Sequence, residues 1–182
     1  MLYTKKGDDG KTTIFGCDQR LSKSSAIAEA LGALDEANSY LGVCKEEVLD
    51  NDVVFENKKF SEILHNIQNN LFTVQAEVAG APKNIDKEKL ADLEKVLNAI
   101  EATLPEQKTF IIPGGTKNSA HLDFARTLIR RAERRVVAVT EEGIAKITPE
   151  TLAYLNRLSS FLYAGARLYT HKSGIKEEPP RY

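Results

Sequence analysis

Leu122-Asp123-Phe124-Ala125-Arg126-Thr127-Leu128-Ile129-Arg130-Arg131-Ala132-Glu133-Arg134-Arg135-Val136-Val137-Ala138-Val139 is the stretch on which the fold turns. Leu122, Ala125, Ile129, Ala132, Val136 and Val139 recur at three- and four-residue steps, the spacing that gives a helix one apolar face for a core. The remainder is basic: five arginines fall within residues 126–135 of a chain whose net charge is only -1. On a helix Arg126, Arg130 and Arg134 share a face, drifting about 40° per step. Glu133 is the only acid inside the run, so these guanidinium groups repel one another unless an anion neutralises them. A solvated basic face is the plain alternative, and this helix alone does not separate the two.

The same period extends outward on both sides. Helices are expected over five segments: about Lys23 to Val48, Lys58 to Gly80, Asp86 to Thr103, Lys117 to Glu142, and Pro149 to His171. Gly80-Ala81-Pro82 ends the second, Asp86 caps the third, and Pro105 follows it. Thr148-Pro149-Glu150 supplies an N-cap, a first-turn proline and an early acid for the last. Leu64, Ile67, Leu71, Val74 and Val78 form the apolar stripe of the second segment. Leu152, Leu155, Leu158, Leu162, Gly165 and Leu168 form that of the last. The fold class is therefore all-α, an antiparallel bundle. One domain spanning 1–182 is expected: an arm over 1–22, a helical bundle over 23–171 and a mobile tail over 172–182.

Composition limits the function classes. Twenty-five basic residues against twenty-six acidic give no global field for nucleic acid or an anionic membrane, so a local anion site fits better. Cys17 and Cys44 have no CxxC partner, which argues against a disulfide framework or a structural zinc site and points to a reducing compartment. The start Met1-Leu2-Tyr3-Thr4-Lys5-Lys6-Gly7-Asp8-Asp9 lacks an apolar signal region, and no run approaches the roughly 18 apolar residues of a membrane span. The expectation is a cytoplasmic protein.

Three pieces remain outside the core pattern. The arm carries Gly7, Gly10 and Gly16 with Lys5, Lys6, Lys11 and hydroxyls at Thr4, Thr12 and Thr13, the groups a polyphosphate needs. Gly10-Lys11-Thr12 is not a Walker loop, since Lys5 stands where the pattern requires glycine. Phe110-Ile111-Ile112-Pro113-Gly114-Gly115-Thr116 is an apolar strip and a turn entering the arginine helix; three bulky apolar side chains in a loop call for a flat ligand or a neighbouring subunit to cover them. His65, His121 and His171 are scattered, and Glu62-Ile63-Leu64-His65 is a single ExxH where a di-iron bundle uses two, so no metal ligands are assigned.

Tyr3-Thr4-Lys5-Lys6-Gly7-Asp8-Asp9-Gly10 with Thr12-Thr13, Gly32-Ala33-Leu34-Asp35-Glu36, Phe110 to Gly115, Arg130 to Arg135 and Leu155-Asn156-Arg157-Leu158-Ser159 occur in an order and spacing that resemble the PduO-type ATP:cob(I)alamin adenosyltransferases. The resemblance spans nearly the whole chain. It implies an antiparallel five-helix bundle with a four-helix-bundle-like core and an irregular ATP-binding arm, assembled as a homotrimer with active sites between subunits. Carried onto this sequence, it implies that Thr4, Lys5, Lys6, Gly7, Thr12, Thr13 and Lys23 wrap the ATP polyphosphate. Arg130, Arg134 and Asn156 would contact ATP from the bundle, with Glu133 ordering the site. The motif counts Arg131 and Ala132 among the nucleotide-binding run, although Arg131 and Arg135 turn off the face shared by the others. Arg126 would pair with Asp35 of the neighbouring subunit, and Phe110 would lie against the corrin.

The resemblance implies transfer of the 5′-deoxyadenosyl group of ATP to the cobalt of cob(I)alamin, giving adenosylcobalamin and triphosphate, with Mg²⁺ accompanying ATP. A cobalamin reductase and an adenosylcobalamin-dependent acceptor enzyme are the expected protein partners; nucleic acid and membrane are not. Cob(I)alamin is its own nucleophile, so position and charge are what such a protein supplies. A helical ATP-binding sensor would use the same phosphate ligands without the chemistry.

Overall fold

The computed structural model describes residue 3, residues 5–14 and residues 20–182. Thr4, Gly16 and Cys17 lie outside the described residues. The arm forms a small antiparallel hairpin, with β1 (Lys11–Thr13) pairing Lys11 to Ser22 and Thr13 to Arg20 of β2 (Arg20–Ser22). A turn over residues 23–25 takes the first residues expected to be helical, so α1 runs over Ala26–Glu47. A short turn (Leu49–Asn51) leads to a second hairpin, β3 (Val54–Phe55) with β4 (Lys58–Lys59). Its two turn residues, Glu56 and Asn57, have φ of 50° and 61°, the left-handed pair that a two-residue hairpin turn requires. Lys58 and Lys59 are therefore strand rather than helix, and α2 covers Phe60–Val78.

The remaining helices are α3 (Lys87–Glu101), α4 (Lys117–Glu141) and α5 (Pro149–Lys172). Their starts are fixed by side chains that satisfy first-turn N–H groups. Asp86 accepts from the Lys89 amide at 2.8 Å, Thr116 from Ser119 at 3.0 Å, and Thr148 from Thr151 at 3.4 Å. The chain is an all-α bundle in which α4 packs between α1 and α5, α2 lies beside α1, and α3 covers α5.

The apolar stripes meet in one continuous core. Leu34 and Leu41 of α1, Leu64 and Leu71 of α2, Leu122 and Ile129 of α4 and Leu155 and Leu162 of α5 are fully buried. Each such side chain contributes about 1.5–3 kcal/mol relative to exposure. Gly165 sits in the α5 stripe because a Cβ there would meet the Phe60 ring at 2.8 Å, and that ring is itself stacked on Phe161 at 5.3 Å. Below this layer Glu77, buried and without a cation among the described residues, accepts from the Thr148 amide at 2.7 Å and from the Thr151 hydroxyl, tying α2 to the start of α5.

Part of the segment expected as a mobile tail over 172–182 is tied to the bundle. Lys172 still belongs to the helix. Arg167 grips Glu177 with two hydrogen bonds of 2.8 and 3.0 Å, and the Glu178 carbonyl accepts from the Ile112 amide at 2.9 Å. A bidentate ion pair on half-screened side chains holds a segment whose composition alone gave no reason for order.

Candidate active site

Turns close on themselves in the arm. The Lys23 ammonium donates to the Gly7 carbonyl at 2.8 Å, and the Lys23 amide donates to the Gly10 carbonyl at 3.0 Å. A Cβ at Gly7 would meet Lys23 Nζ at 3.0 Å, so glycine leaves room for the lysine to cross the loop. Asp9 serves as an internal strut: its Oδ1 accepts from Arg20 at 2.7 Å and from the Lys11 amide at 3.2 Å. Desolvation pushes its carboxyl up, but the Lys11 N–H and the Arg20 guanidinium together outweigh it and hold the group below the ordinary range. Lys5, Lys6, Thr13 and Lys23 remain at the surface, with Gly7 and Thr12 half-buried.

Thr12, Thr13 and Lys23 line one side of a cleft of about 780 Å³; Gly32 and Asp35 of α1 and Phe72 of α2 line the other. The arm and Asp35 are thus brought together. Phe72, exposed to 62 % on an otherwise amphipathic helix, was not singled out by sequence; its signal is an aromatic off the apolar stripe.

The arginine helix divides by partner. Arg131 is ion-paired with Glu36 and Arg135 with Glu29 at 3.8 Å, both across the α1–α4 contact. Arg126 donates to Asp123 at 3.4 Å, and its guanidinium carbon lies 5.7 Å from the centre of the Tyr163 ring. Arg130 and Arg134 have no carboxylate partner among the described residues; Arg134 donates only to the Arg130 carbonyl at 3.0 Å. Glu133 instead accepts from Asn156 of α5 at 3.2 Å, and Asn156 in turn accepts from Arg157 at 3.1 Å. Arg130, Glu133, Arg134 and Asn156 therefore cluster on the α4–α5 side. Two residues of the assigned run do not join them: Ala132 is fully buried in the core, and Arg131 is committed to Glu36.

Consecutive residues on a helix point about 100° apart, which explains the division. On α1, Asp35 faces the arm cleft while Glu36 faces α4. No hydrogen bond joins Thr12, Thr13 or Lys23 to Arg130, Arg134 or Asn156 among the described residues. Arg130, Arg134 and Asn156 do not line the arm cleft either, so the two groups of candidate ligands do not share a pocket among the described residues.

Phe110 belongs to neither group. Its side chain is 77 % exposed, at the head of a loop held by Gly114, whose amide donates to Asp123 at 3.3 Å and whose carbonyl accepts from the hydroxyls of Ser119 at 2.5 Å and Thr170 at 3.2 Å. Gly114 and Gly115 have φ of 116° and 111°, and a Cβ on Gly115 would lie 3.0 Å from Thr170. Burial pushes the Asp123 carboxyl up, against the pull of Arg126 and the Gly114 N–H, and nearby Glu177 adds to the push. Asp123 escaped the sequence reading, although an acid three residues before an arginine on a helix is a pair signal. Among the described residues no His, Cys, Asp and Glu cluster could hold a metal, and no helix is long and apolar enough to cross a membrane.

Comparison with known proteins places this geometry in context. Residues 2–169 match the family model described as cobalamin adenosyltransferase. A corrinoid adenosyltransferase of Bacillus subtilis (strain 168) is 40% identical over 178 residues, covering 96% of this chain and 89% of that protein. The corrinoid adenosyltransferase PduO of Citrobacter freundii is 38% identical over 177 residues, which are 93% of this chain but 50% of that longer protein. Among solved structures, a variant of the PduO-type ATP:corrinoid adenosyltransferase of Lactobacillus reuteri, complexed with cobalamin and ATP, superposes with a TM-score of 0.87 at 31% identity, covering 100% of this chain and 97% of that one.

Proposed function

The chain belongs to the cobalamin adenosyltransferase family, and from that premise we propose that it transfers the 5′-deoxyadenosyl group of ATP to the cobalt of cob(I)alamin, releasing triphosphate, with the roles of its own residues as follows. The observation that carries the assignment of roles is the pairing pattern of the arginine helix: three of its five arginines are matched by carboxylates, and Arg130 and Arg134 are left for an outside anion. Unmatched cations on one helix face repel, and a triphosphate is an anion large enough to satisfy both. Glu133 is hydrogen-bonded to Asn156 and forms no ion pair with either of them among the described residues.

Lys5, Lys6, Gly7, Thr12, Thr13 and Lys23, with Thr4 outside the described residues, supply the other half of the phosphate cradle. The cleft of about 780 Å³ beside them is of ligand size. Because this half and the arginine half do not share a cleft, a site completed between two copies of the chain fits them best. That division supports a homotrimer with sites between subunits, in which Arg126 meets Asp35 of the next subunit. The arrangement also accounts for Asp35 lying at the mouth of the arm cleft with no ion pair of its own among the described residues.

The nucleophile is the reduced cobalt, so the protein provides no covalent catalyst. Its residues hold the polyphosphate and stabilise the charge that grows on the leaving triphosphate, where fixed cations act with little reorganisation. Mg²⁺ would enter with ATP, held mainly by the phosphate oxygens and water, and would add to the charge that the arm and the arginines supply. Phe110, exposed at the head of a pinned loop, is suited to lie on the lower face of the corrin and keep water from the cobalt, one of the protein's levers on a tetrapyrrole metal. Cys44 is free and buried, in keeping with the reducing cytoplasm that this reading assigns to the chain. A reductase that delivers cob(I)alamin and an enzyme that accepts the adenosylated product complete this reading.

The test is release of triphosphate from ATP with and without reduced cobalamin. Release only with the reduced corrinoid supports the transferase; ATP binding with no corrinoid-dependent release would make the chain a nucleotide sensor.

A further inference from the structure

The Asp123 carboxylate hydrogen-bonds both the Phe110 loop and Arg126. It is 8 % exposed, its Oδ2 accepts from the Gly114 amide at 3.3 Å, and its Oδ1 accepts from Arg126 Nε at 3.4 Å. The same guanidinium rests on the Tyr163 ring, and its two terminal amino groups make no hydrogen bond among the described residues. Tyr163 is itself held, its hydroxyl donating to Gln107 at 3.0 Å. An arginine gripped through Nε and stacked on a ring has lost most of its side-chain freedom while keeping its outer edge for a second carboxylate. Behind the loop, Asp123 also borders a cavity of about 220 Å³ shared with Arg167 and Glu177.

We infer that Asp123 is a positioning residue: one oxygen fixes the loop that carries Phe110, and the other fixes Arg126 for the Asp35 carboxylate of the neighbouring subunit, so that subunit contact and corrin loop are set by a single side chain. The inference rests on the assembly given under Proposed function. Preorganisation of this kind lowers the entropy lost when the arginine is ordered at an interface. It also means that assembly and the loop respond together, since moving the carboxylate toward one partner draws it from the other.

Asp123→Asn keeps the shape and removes the charge that strengthens both hydrogen bonds. Association of ligand-free chains, followed by analytical ultracentrifugation over a concentration series, should weaken about tenfold or more, as expected for a lost charged hydrogen bond. Arg126→Ala should weaken association at least as much, and the double variant should be no weaker than Arg126→Ala alone, because Asp123 acts through Arg126. In the same Asp123→Asn sample, amide hydrogen exchange across residues 110–115 should speed severalfold. Wild-type association by Asp123→Asn, additive losses in the double variant, or unchanged exchange in the loop each overturns the positioning role. A wild-type chain that stays monomeric at all concentrations instead overturns the assembly beneath it, so the two failures read differently.

Discussion

Arg130 and Arg134 stand out at the residue scale because their neighbours Arg126, Arg131 and Arg135 are each answered by an acid while they are not. Replacing Arg130 by alanine should lower kcat by about 10²-fold or more, the size expected when a donor to developing charge is removed; turnover near the wild-type value at saturating ATP would refute the assignment. Phe110→Ala should abolish the spectroscopic signal of four-coordinate Co(II), since water would re-enter below the ring; a retained signal would leave Phe110 without the proposed role. Asp123 carries a pH prediction. Arg126 on its own helix, Tyr163 and Arg167 of α5, and Lys176 and Glu177 of the C-terminal segment surround it, and burial leaves its carboxyl above the ordinary range. A raised carboxyl holds its proton more tightly when folded, so stability falls as pH rises from the unfolded value through the folded one. Urea unfolding of wild type and Asp123→Asn across that window should show the wild type losing ground to the variant as pH increases, and a constant difference would contradict it. Of these residues, Arg130, Arg134 and Phe110 were legible from charge repetition and an apolar loop, whereas Asp123 was not, because its meaning depends on a glycine amide nine residues earlier.

The five helices were readable because their apolar residues recur at helical spacing and α2 to α5 also carry a cap or breaker at an end, and tertiary packing reinforced rather than opposed that signal. The two hairpins were not, since strands of two or three residues are too short to show a period, and the left-handed turn at Glu56-Asn57 lacks the glycine that usually announces one. Two expectations follow for the elements. Thr148→Ala removes the cap that accepts from Thr151 and should cost about 1 kcal/mol in denaturant unfolding; no measurable loss would show that the Glu77 contacts fix the helix start alone. Gly165→Ala should destabilise the chain by about 1–3 kcal/mol despite its better helix propensity, because the Phe60 ring it would strike is fully buried and stacked on Phe161. A stabilised variant would mean that the ring can move aside.

For the whole molecule, composition excluded a nucleic-acid or membrane field but said nothing of how the site is shared. Motif order along the sequence places the arm and the arginine run in one ligand set; only the fold reveals that they do not line one cleft among the described residues. Motif content is linear and facing is not. That separation has a genetic consequence. A chain disabled in its arm by Lys23→Ala still brings intact arginines to a neighbour, and a chain disabled by Arg130→Ala still brings an intact arm. On the proposed assembly, two such inactive chains co-expressed should complement one another and recover a fraction of the wild-type rate, an undamaged site being rebuilt where the two lesions fall on opposite sides of a junction. Equal silence from the mixture would mean that each chain closes its site upon itself.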